Sequence, residues 1–207
     1  PAFQRPRHGR LFRAARRLSP AFQRPAEKPE PCIAAVPPRC RRSLSQACMR
    51  TITAGAREKP AVASHSCGLC IMHMQGEPKT MQDSPHYSNV TEEVIAFLQE
   101  QVFRLTNAGV VANRICIDPG FGFGKTLEDN LVLLKNMSFI QQSLELPVLA
   151  GLSRKSVVAA LTGKSVEKRL AGNLAIALAA VEHSAAIIRV HDVGESVDAL
   201  KVWLAAR

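Results

Sequence analysis

The chain has 207 residues, of which 46% are hydrophobic, and a formal net charge of +10. This length can hold one ordinary domain with a substantial core. Its apolar stretches are broken by charge after a few residues, so we expect a soluble protein with no membrane partner.

The excess positive charge lies in residues 1–65, which carry twelve Arg and two Lys against three Glu, whereas the rest of the chain has a net charge of −1. Nine of the thirteen Pro lie there as well, and no apolar periodicity persists for ten residues. Such a segment has little apolar surface to bury, so burial cannot offset the conformational entropy that it would lose on folding. We therefore expect residues 1–65 to be disordered and residues 66–207 to form the folded domain.

Three interpretations of the basic segment stay open. Its charge suits a tail that binds nucleic acid, but it has no aromatic interleaving, no Gly-Arg repeat and no binding motif. Its Arg-rich, acid-poor composition suits a transit peptide, although the density of Pro would break an amphipathic helix. A start at Pro1 and a richness in Arg, Pro, Ala, Ser and Cys suit GC-rich DNA read in a wrong frame. We favour the third interpretation and expect no nucleic-acid partner.

The six cysteines do not form a disulfide framework. Cys67 and Cys70, followed by His73, imitate the spacing of metal ligands, but no second Cys pair follows at the spacing of a zinc site. We instead predict that Cys70 and Cys116 are small buried residues inside strands, reduced in a cytoplasmic setting.

From residue 67 onward, short apolar runs alternate with helical patterns. Strands are predicted over residues 69–72, 114–117, 147–152 and 186–190. Helices are predicted from Asn89 to Gly109, from Thr126 with Leu127, Leu131, Leu134 and Met137 along one side, after Ser165, and over residues 196–206. At the first helix, Asn89 is the predicted N-cap and Glu92 its capping partner.

Four successive strand–helix units, with strands that do not alternate in polarity, favour an α/β fold with a parallel sheet covered by helices. Two architectures meet this description, a doubly wound sheet and a piece of a (β/α)8 TIM barrel. In both, polar residues that follow the strands collect at one face of the sheet.

The first polar group after a strand is the sequence DPGFGFGKT over residues 118–126. It approaches a phosphate-binding P-loop, but Pro119 occupies the position that requires the first Gly and has no amide hydrogen to donate. Asp118 needs another explanation, because a carboxylate at the end of a buried strand is costly unless it is paired or binds something. Two carboxylate oxygens suit the amino and ring N–H edge of a heterocycle.

Two further polar groups follow later strands. The sequence SRKS over residues 153–156 places two cations beside hydroxyl groups, which suits either a helix start at the surface or a binding site. Arg189 and His191 alternate along one strand and should share a face. Such a pair can hold a phosphate or pyrophosphate, or else Arg189 pairs with an acidic neighbour while His191 caps a loop.

These stretches resemble a known family. IMHMQGEPKTMQ, IDPGFGFGK, GLSRKS and RVHDV, in this order and at these separations, are similar to the C-terminal half of dihydropteroate synthase, the bacterial folate enzyme that sulfonamides inhibit. The resemblance covers roughly residues 67–207. It implies a (β/α)8 barrel, of which this chain supplies the fifth to eighth strands. The motifs favour this family over corrinoid-type methyltransferases, which share the barrel and the pterin pocket.

The resemblance also implies an activity. The family condenses 6-hydroxymethyl-7,8-dihydropterin pyrophosphate with p-aminobenzoate, giving dihydropteroate and pyrophosphate, with Mg²⁺ assisting the departure of pyrophosphate. The residues that carry over are Asp118 and Lys155 for the pterin, Met72, Phe123 and Gly151 for the pocket wall, Ser153 and Arg154 for p-aminobenzoate, and Arg189 and His191 for pyrophosphate. Lys155, Arg189 and His191 would be the catalytic residues.

The motifs of the family's first half do not occur in residues 1–65, and with them the family's protein ligand for Mg²⁺ is absent. A half barrel also leaves sheet edges open, which favours aggregation or pairing with a second copy as a homodimer. We therefore expect little or no synthase activity from this chain alone. The alternative function is a non-catalytic remnant that binds pterin weakly or self-associates.

Overall fold

A computed structural model describes residues 68–206 in full and, before them, two short strands, β1 (Cys32–Ile33) and β2 (Arg50–Ile52). Most of the basic segment lies outside the described residues, so its predicted disorder stays a prediction. No helix in the described part of the chain is both long and apolar enough to cross a membrane.

The four predicted strands are confirmed, with small differences at their ends. They are β3 (Leu69–Met72), β4 (Ile115–Asp118), β5 (Val148–Ala150) and β6 (Ala185–Val190). The helices are α1 (Val90–Asn107), α2 (Leu127–Lys135), α3 (Met137–Leu144), α4 (Ser156–Thr162), α5 (Leu170–Glu182) and α6 (Val193–Ala205). Short 3₁₀ turns cover Ala112–Arg114 and Val166–Lys168. Met137, predicted on the helix from Thr126, begins the separate helix α3, and α4 begins at Ser156, where a helix start was one of two alternatives.

The described strands form one sheet in the order β1-β6-β5-β4-β3-β2. Strands β2 to β6 run parallel, and each pairs with the next strand along the chain, while β1 adds to β6 in the antiparallel direction. A doubly wound sheet reverses its strand order at a switch point, whereas consecutive units of a barrel do not. The order therefore supports the barrel alternative.

The two faces of the sheet have different neighbours. Ile71 and Ile117 belong to the large core between the sheet and the helices. Cys70 and Cys116, a register pair on the opposite face, are both buried free thiols, as predicted, and pack with residues of β5 and β6. Because side chains alternate along a strand, Asp118 lies on the same face as Cys116, one layer nearer the carboxyl ends.

The N-terminus of α1 differs from the prediction in one residue. The Asn89 side chain accepts hydrogen bonds from the backbone N–H groups of Thr91 and Glu92, which confirms Asn89 as the N-cap. The reciprocal carboxylate is that of Glu93, which accepts from the backbone N–H groups of Ser88 and Asn89. The prediction of Glu92 as capping partner was wrong.

Helix α2 begins at a capping box formed by Thr126 and Asp129. Its inner face carries Leu133 and Leu134, while Leu127 is 38% exposed. The predicted placement of Leu127 on the packed side was therefore wrong. The helix ends at Asn136, where α3 begins.

Candidate functional site

The candidate site lies at the carboxyl ends of β4, β5 and β6, and a buried carboxylate is at its centre. The Asp118 side chain is 1% exposed. It accepts a hydrogen bond of 2.8 Å from the backbone N–H of Gly120 and one of 3.2 Å from the Arg189 guanidinium. Burial raises the pKa of Asp118 above its ordinary value, while Arg189 is the largest of the influences that lower it. The contact joins two strand ends that are 71 residues apart in sequence.

Lys155 reaches the same site from the loop after β5. Its ammonium nitrogen lies 3.8 Å from the centroid of the Phe123 ring, a cation–π contact. Its stem passes close to Gly122, where a methyl group would lie 3.2 Å from Lys155 Cδ. Burial lowers the pKa of Lys155, Arg189 lowers it further, and Asp118 raises it. Phe123 and Lys155, both predicted for the site, are therefore neighbours.

Gly151 makes room for Arg189. A methyl group on Gly151 would lie 2.6 Å from a guanidinium nitrogen of Arg189. The guanidinium thus passes across a residue without a side chain to reach the carboxylate of Asp118.

His191 lies two residues after Arg189, directly after the end of β6, and it forms hydrogen bonds with Ser153. The Ser153 hydroxyl is 3.0 Å from the imidazole Nδ1 and 3.3 Å from the backbone nitrogen of His191. Burial lowers the pKa of His191, and the nearby Arg154 lowers it further. The β5 and β6 loops are therefore joined by a hydroxyl–imidazole contact, with Ser153 buried and His191 partly open.

The Arg154 side chain reaches the residue after His191, at the start of α6. Its guanidinium donates a hydrogen bond of 2.8 Å to Asp192 Oδ1. Its backbone is in the left-handed region (φ 59°), and its N–H donates to Asn173 Oδ1 at 3.0 Å. The side chain of Met72 is buried at the end of β3, in register with Asp118. The functional roles predicted for Arg154 and Met72 stay predictions.

Lys125 and His73 form a second polar pair beneath the loop of residues 119–125, here called the glycine loop. Lys125 Nζ is 2.9 Å from His73 Nδ1 and donates hydrogen bonds of 3.0 Å to the carbonyls of Gly120 and Phe123. Sequence reasoning did not place Lys125 in the site. The signal in the sequence is its position at the end of the near-P-loop, next to Thr126.

Burial governs the protonation of this pair. It lowers the pKa of Lys125 to about 7, against the raising effect of Asp118. Burial, and after it the Lys125 charge, lower the pKa of His73 to about 3. A protonated ammonium has no acceptor, so His73 Nδ1 accepts and the imidazole carries its proton on Nε2.

We predict that the His73 imidazole stays neutral down to about pH 3. The unfolded chain should protonate it near pH 6.5, so its contribution to the free energy of unfolding is complete above that value and is lost as the pH falls toward 3. Carbon-13 NMR of the imidazole, assigned with His73→Gln, would show no titration between pH 8 and 4. The urea-unfolded chain is the control. Titration of His73 near pH 6 in the folded chain would contradict the prediction.

The described residues do not fit a complete magnesium site. Nowhere among them do three His, Cys, Asp or Glu side chains group closely enough to hold a metal ion. We therefore assign no step of the chemistry to a metal bound by these residues.

The site combines an acceptor with several donors. The Asp118 carboxylate can accept from N–H groups of a ligand, and the cations of Lys155 and Arg189 can contact an electron-rich ring or an anion. His191 and Ser153 add donors beside Arg189. The arrangement suits a ligand with an N–H edge at one end and a negative charge at the other.

Comparison with protein families agrees with this chemistry. Residues 51–191 match the family described as pterin binding enzyme. The match includes all of the strands β3 to β6 and the residues of the site.

The chain is also similar to curated dihydropteroate synthases. It is 49% identical over 137 residues to that of Haemophilus influenzae, covering 66% of this chain and 50% of the relative. It is 44% identical over 142 residues to that of Escherichia coli K12, covering 69% of this chain and 50% of the relative. The chain thus spans about half the length of these relatives.

Solved structures give the same result. The Yersinia pestis dihydropteroate synthase in complex with a sulfonamide drug superposes with a TM-score of 0.72 at 39% identity, over 76% of this chain and 59% of that one. The Xanthomonas albilineans enzyme with 4-aminobenzoic acid gives a TM-score of 0.68 at 42% identity, over 75% and 57%. The same enzyme with 7,8-dihydropteroate gives 0.68 at 41% identity, over 75% and 60%.

Proposed function

Because the chain belongs to the pterin binding enzyme family, we propose that its site serves the synthesis of dihydropteroate. The substrates are 6-hydroxymethyl-7,8-dihydropterin pyrophosphate and p-aminobenzoate, and the second product is pyrophosphate. Relatives described with 4-aminobenzoic acid and with 7,8-dihydropteroate support this choice.

The observation that carries the proposal is the buried carboxylate of Asp118, held between Gly120 and Arg189 and close to Lys155. A buried carboxylate needs donors, and the amino and ring N–H groups of a pterin are such donors. In this proposal Asp118 binds that edge of the ring. Lys155, packed on Phe123, contacts the pterin from the side of β5.

The remaining residues serve the group transfer. The amine nitrogen of p-aminobenzoate attacks the methylene carbon of the pterin, a C–N bond forms, the C–O bond to pyrophosphate breaks, and the amine loses a proton. Ser153 and Arg154 receive p-aminobenzoate, and Arg189 and His191 bind the departing pyrophosphate. Charge that develops on a leaving group is the charge an enzyme gains most by stabilising.

The test uses the whole chain and separates binding from turnover. Titration calorimetry with 7,8-dihydropteroate and with pyrophosphate measures the site, and a coupled assay measures dihydropteroate formation. Saturable binding of both ligands supports the proposed site. Binding without turnover assigns the chain the role of a pterin-binding remnant, and absence of binding to either ligand contradicts the proposal.

We predict that Arg189→Met weakens pyrophosphate binding by about 10- to 100-fold, the loss of one or two hydrogen bonds to a charged group. Methionine keeps an unbranched stem across Gly151 but has no donor. Arg104→Met, on the exposed face of α1 where Arg104 pairs with Glu100, is the matched control. Equal pyrophosphate affinities for the two variants would remove Arg189 from the proposed role.

A further inference from the structure

Side chains hold the glycine loop in place. The Tyr87 hydroxyl donates to the Gly124 carbonyl at 2.7 Å, and the Gln82 amide donates to the Gly122 carbonyl at 2.6 Å. The backbone N–H of Gly122 donates to Asn130 Oδ1 at 2.8 Å. The Phe123 N–H donates to the Gly120 carbonyl at 3.1 Å within the loop, and these three further backbone groups obtain their partners from side chains of other segments.

Lys125 is the basic member of this set, and below about pH 7 its side chain is the ammonium form. It is 4% exposed. An ammonium group has three hydrogens, and Nζ has three acceptors at 2.9–3.0 Å: the His73 imidazole and the carbonyls of Gly120 and Phe123. A buried ammonium whose hydrogens are all engaged within the protein has none left for a ligand. Direct contact with substrate is therefore not its function.

The two carbonyls that accept hydrogen bonds from Lys125 belong to loop residues that contact Asp118 and Lys155, the residues proposed to bind the pterin. Gly120 donates its N–H to the Asp118 carboxylate at 2.8 Å, and Phe123 places its ring 3.8 Å from the ammonium of Lys155. Both contacts depend on where the loop backbone lies. The third bond of Lys125, to His73, fixes that backbone to the end of β3.

We propose that Lys125 is a positioning residue: its ammonium group fixes the glycine loop so that Gly120 and Phe123 hold Asp118 and Lys155 in their binding positions. The proposal rests on the proposed function for the roles of Asp118 and Lys155. The placement of Phe123 over Lys155 by Lys125 does not depend on any ligand.

The first measurement is therefore made without ligand. The Phe123 ring should shift the proton signals of the Lys155 side chain upfield, since these protons lie over the ring. Lys155→Arg assigns the signals, and Phe123→Leu gives their position without the ring. In Lys125→Met, which removes the three donors, the upfield shift should be lost. Lys168→Met, at an exposed lysine, should keep it.

The second measurement is the affinity for 7,8-dihydropteroate. In Lys125→Met, we expect Asp118 and Lys155 to be displaced by about 1 Å, which should weaken the binding of 7,8-dihydropteroate at least tenfold. The unfolding midpoint is recorded in parallel. A merely structural lysine would lower the midpoint and leave the Lys155 signals of the folded chain unchanged, and that result would overturn the proposal.

The NMR measurement and the affinity measurement together distinguish a failure of this proposal from a failure of the proposed function. Loss of the upfield shift in a chain that never binds 7,8-dihydropteroate supports the positioning role and contradicts the pterin function. An unchanged shift, or unchanged affinity in a chain that does bind, overturns the positioning role. If Lys125→Met does not fold, Lys125→Gln, which keeps a polar amide but loses the charge and one of the three donors, is measured in the same way.

Discussion

Asp118→Asn is expected to weaken the binding of 7,8-dihydropteroate by about 100-fold. Asparagine has the size of aspartate, but an NH2 group replaces one of the two acceptor oxygens. The ligand edge and Arg189 are also donors, so this NH2 group cannot accept a hydrogen bond from either of them. Two hydrogen bonds to a charged group contribute roughly 3 kcal/mol together, which corresponds to about two factors of ten in affinity. Titration calorimetry of the whole chain measures the change.

The fold should survive this substitution. Burial disfavours the charged form of Asp118, as the raised pKa indicates, so a neutral residue of the same size relieves part of that cost. Asp198→Asn is the matched control, because Asp198 is exposed on α6 and pairs with Lys201. Equal affinities for the two folded variants would show that Asp118 does not bind the pterin.

The sequence alone predicted that the main polar groups lie close together at one face of the sheet. Each follows an apolar strand directly, and parallel strands collect such residues at one face. Strand alternation predicted that Arg189 and His191 share a face; Arg189 contacts Asp118 at the site, while His191 follows the end of β6. Their functional roles stay predictions.

The position of Lys125 could not be obtained in this way. Its partner His73 lies 52 residues earlier in the chain, and neither residue shows a periodicity that points to the other. The side-chain position of Arg154 could not be predicted either, because it depends on a left-handed backbone conformation and on a contact with Asp192, 38 residues later in the chain. Sequence patterns predict which face a residue takes, but long-range side-chain contacts decide where its polar end lies.

Two local predictions failed for a different reason. Glu92 and Glu93 are adjacent and of the same type, and only the geometry of the first turn determines which carboxylate reaches the backbone N–H groups of Ser88 and Asn89. Leu127 lies at the first position of α2, where a short helix leaves its end open to solvent. Helix termini are less constrained by periodicity than helix interiors.

Gly120→Ala is expected to lower the free energy of unfolding by at least about 4 kcal/mol, far above the usual effect of a point substitution. Gly120 has φ 73°, and a methyl group there would overlap the carbonyl oxygen of His73 and lie 2.9 Å from its carbon. That carbonyl cannot retreat easily, because the His73 N–H donates to the Asp118 carbonyl at 3.0 Å and its imidazole is held by Lys125. Denaturant unfolding measures the loss.

Gly163→Ala separates the clash from the cost of the backbone conformation. Gly163 has φ 66° and ends α4, and a methyl group there would meet no atom within 4 Å. It should therefore cost only the roughly 1–2 kcal/mol of a left-handed alanine. If Gly120→Ala were no more destabilising than Gly163→Ala, the glycine loop would not be packed against the end of β3. In that case the position of Phe123 over Lys155 would have to be maintained without that contact.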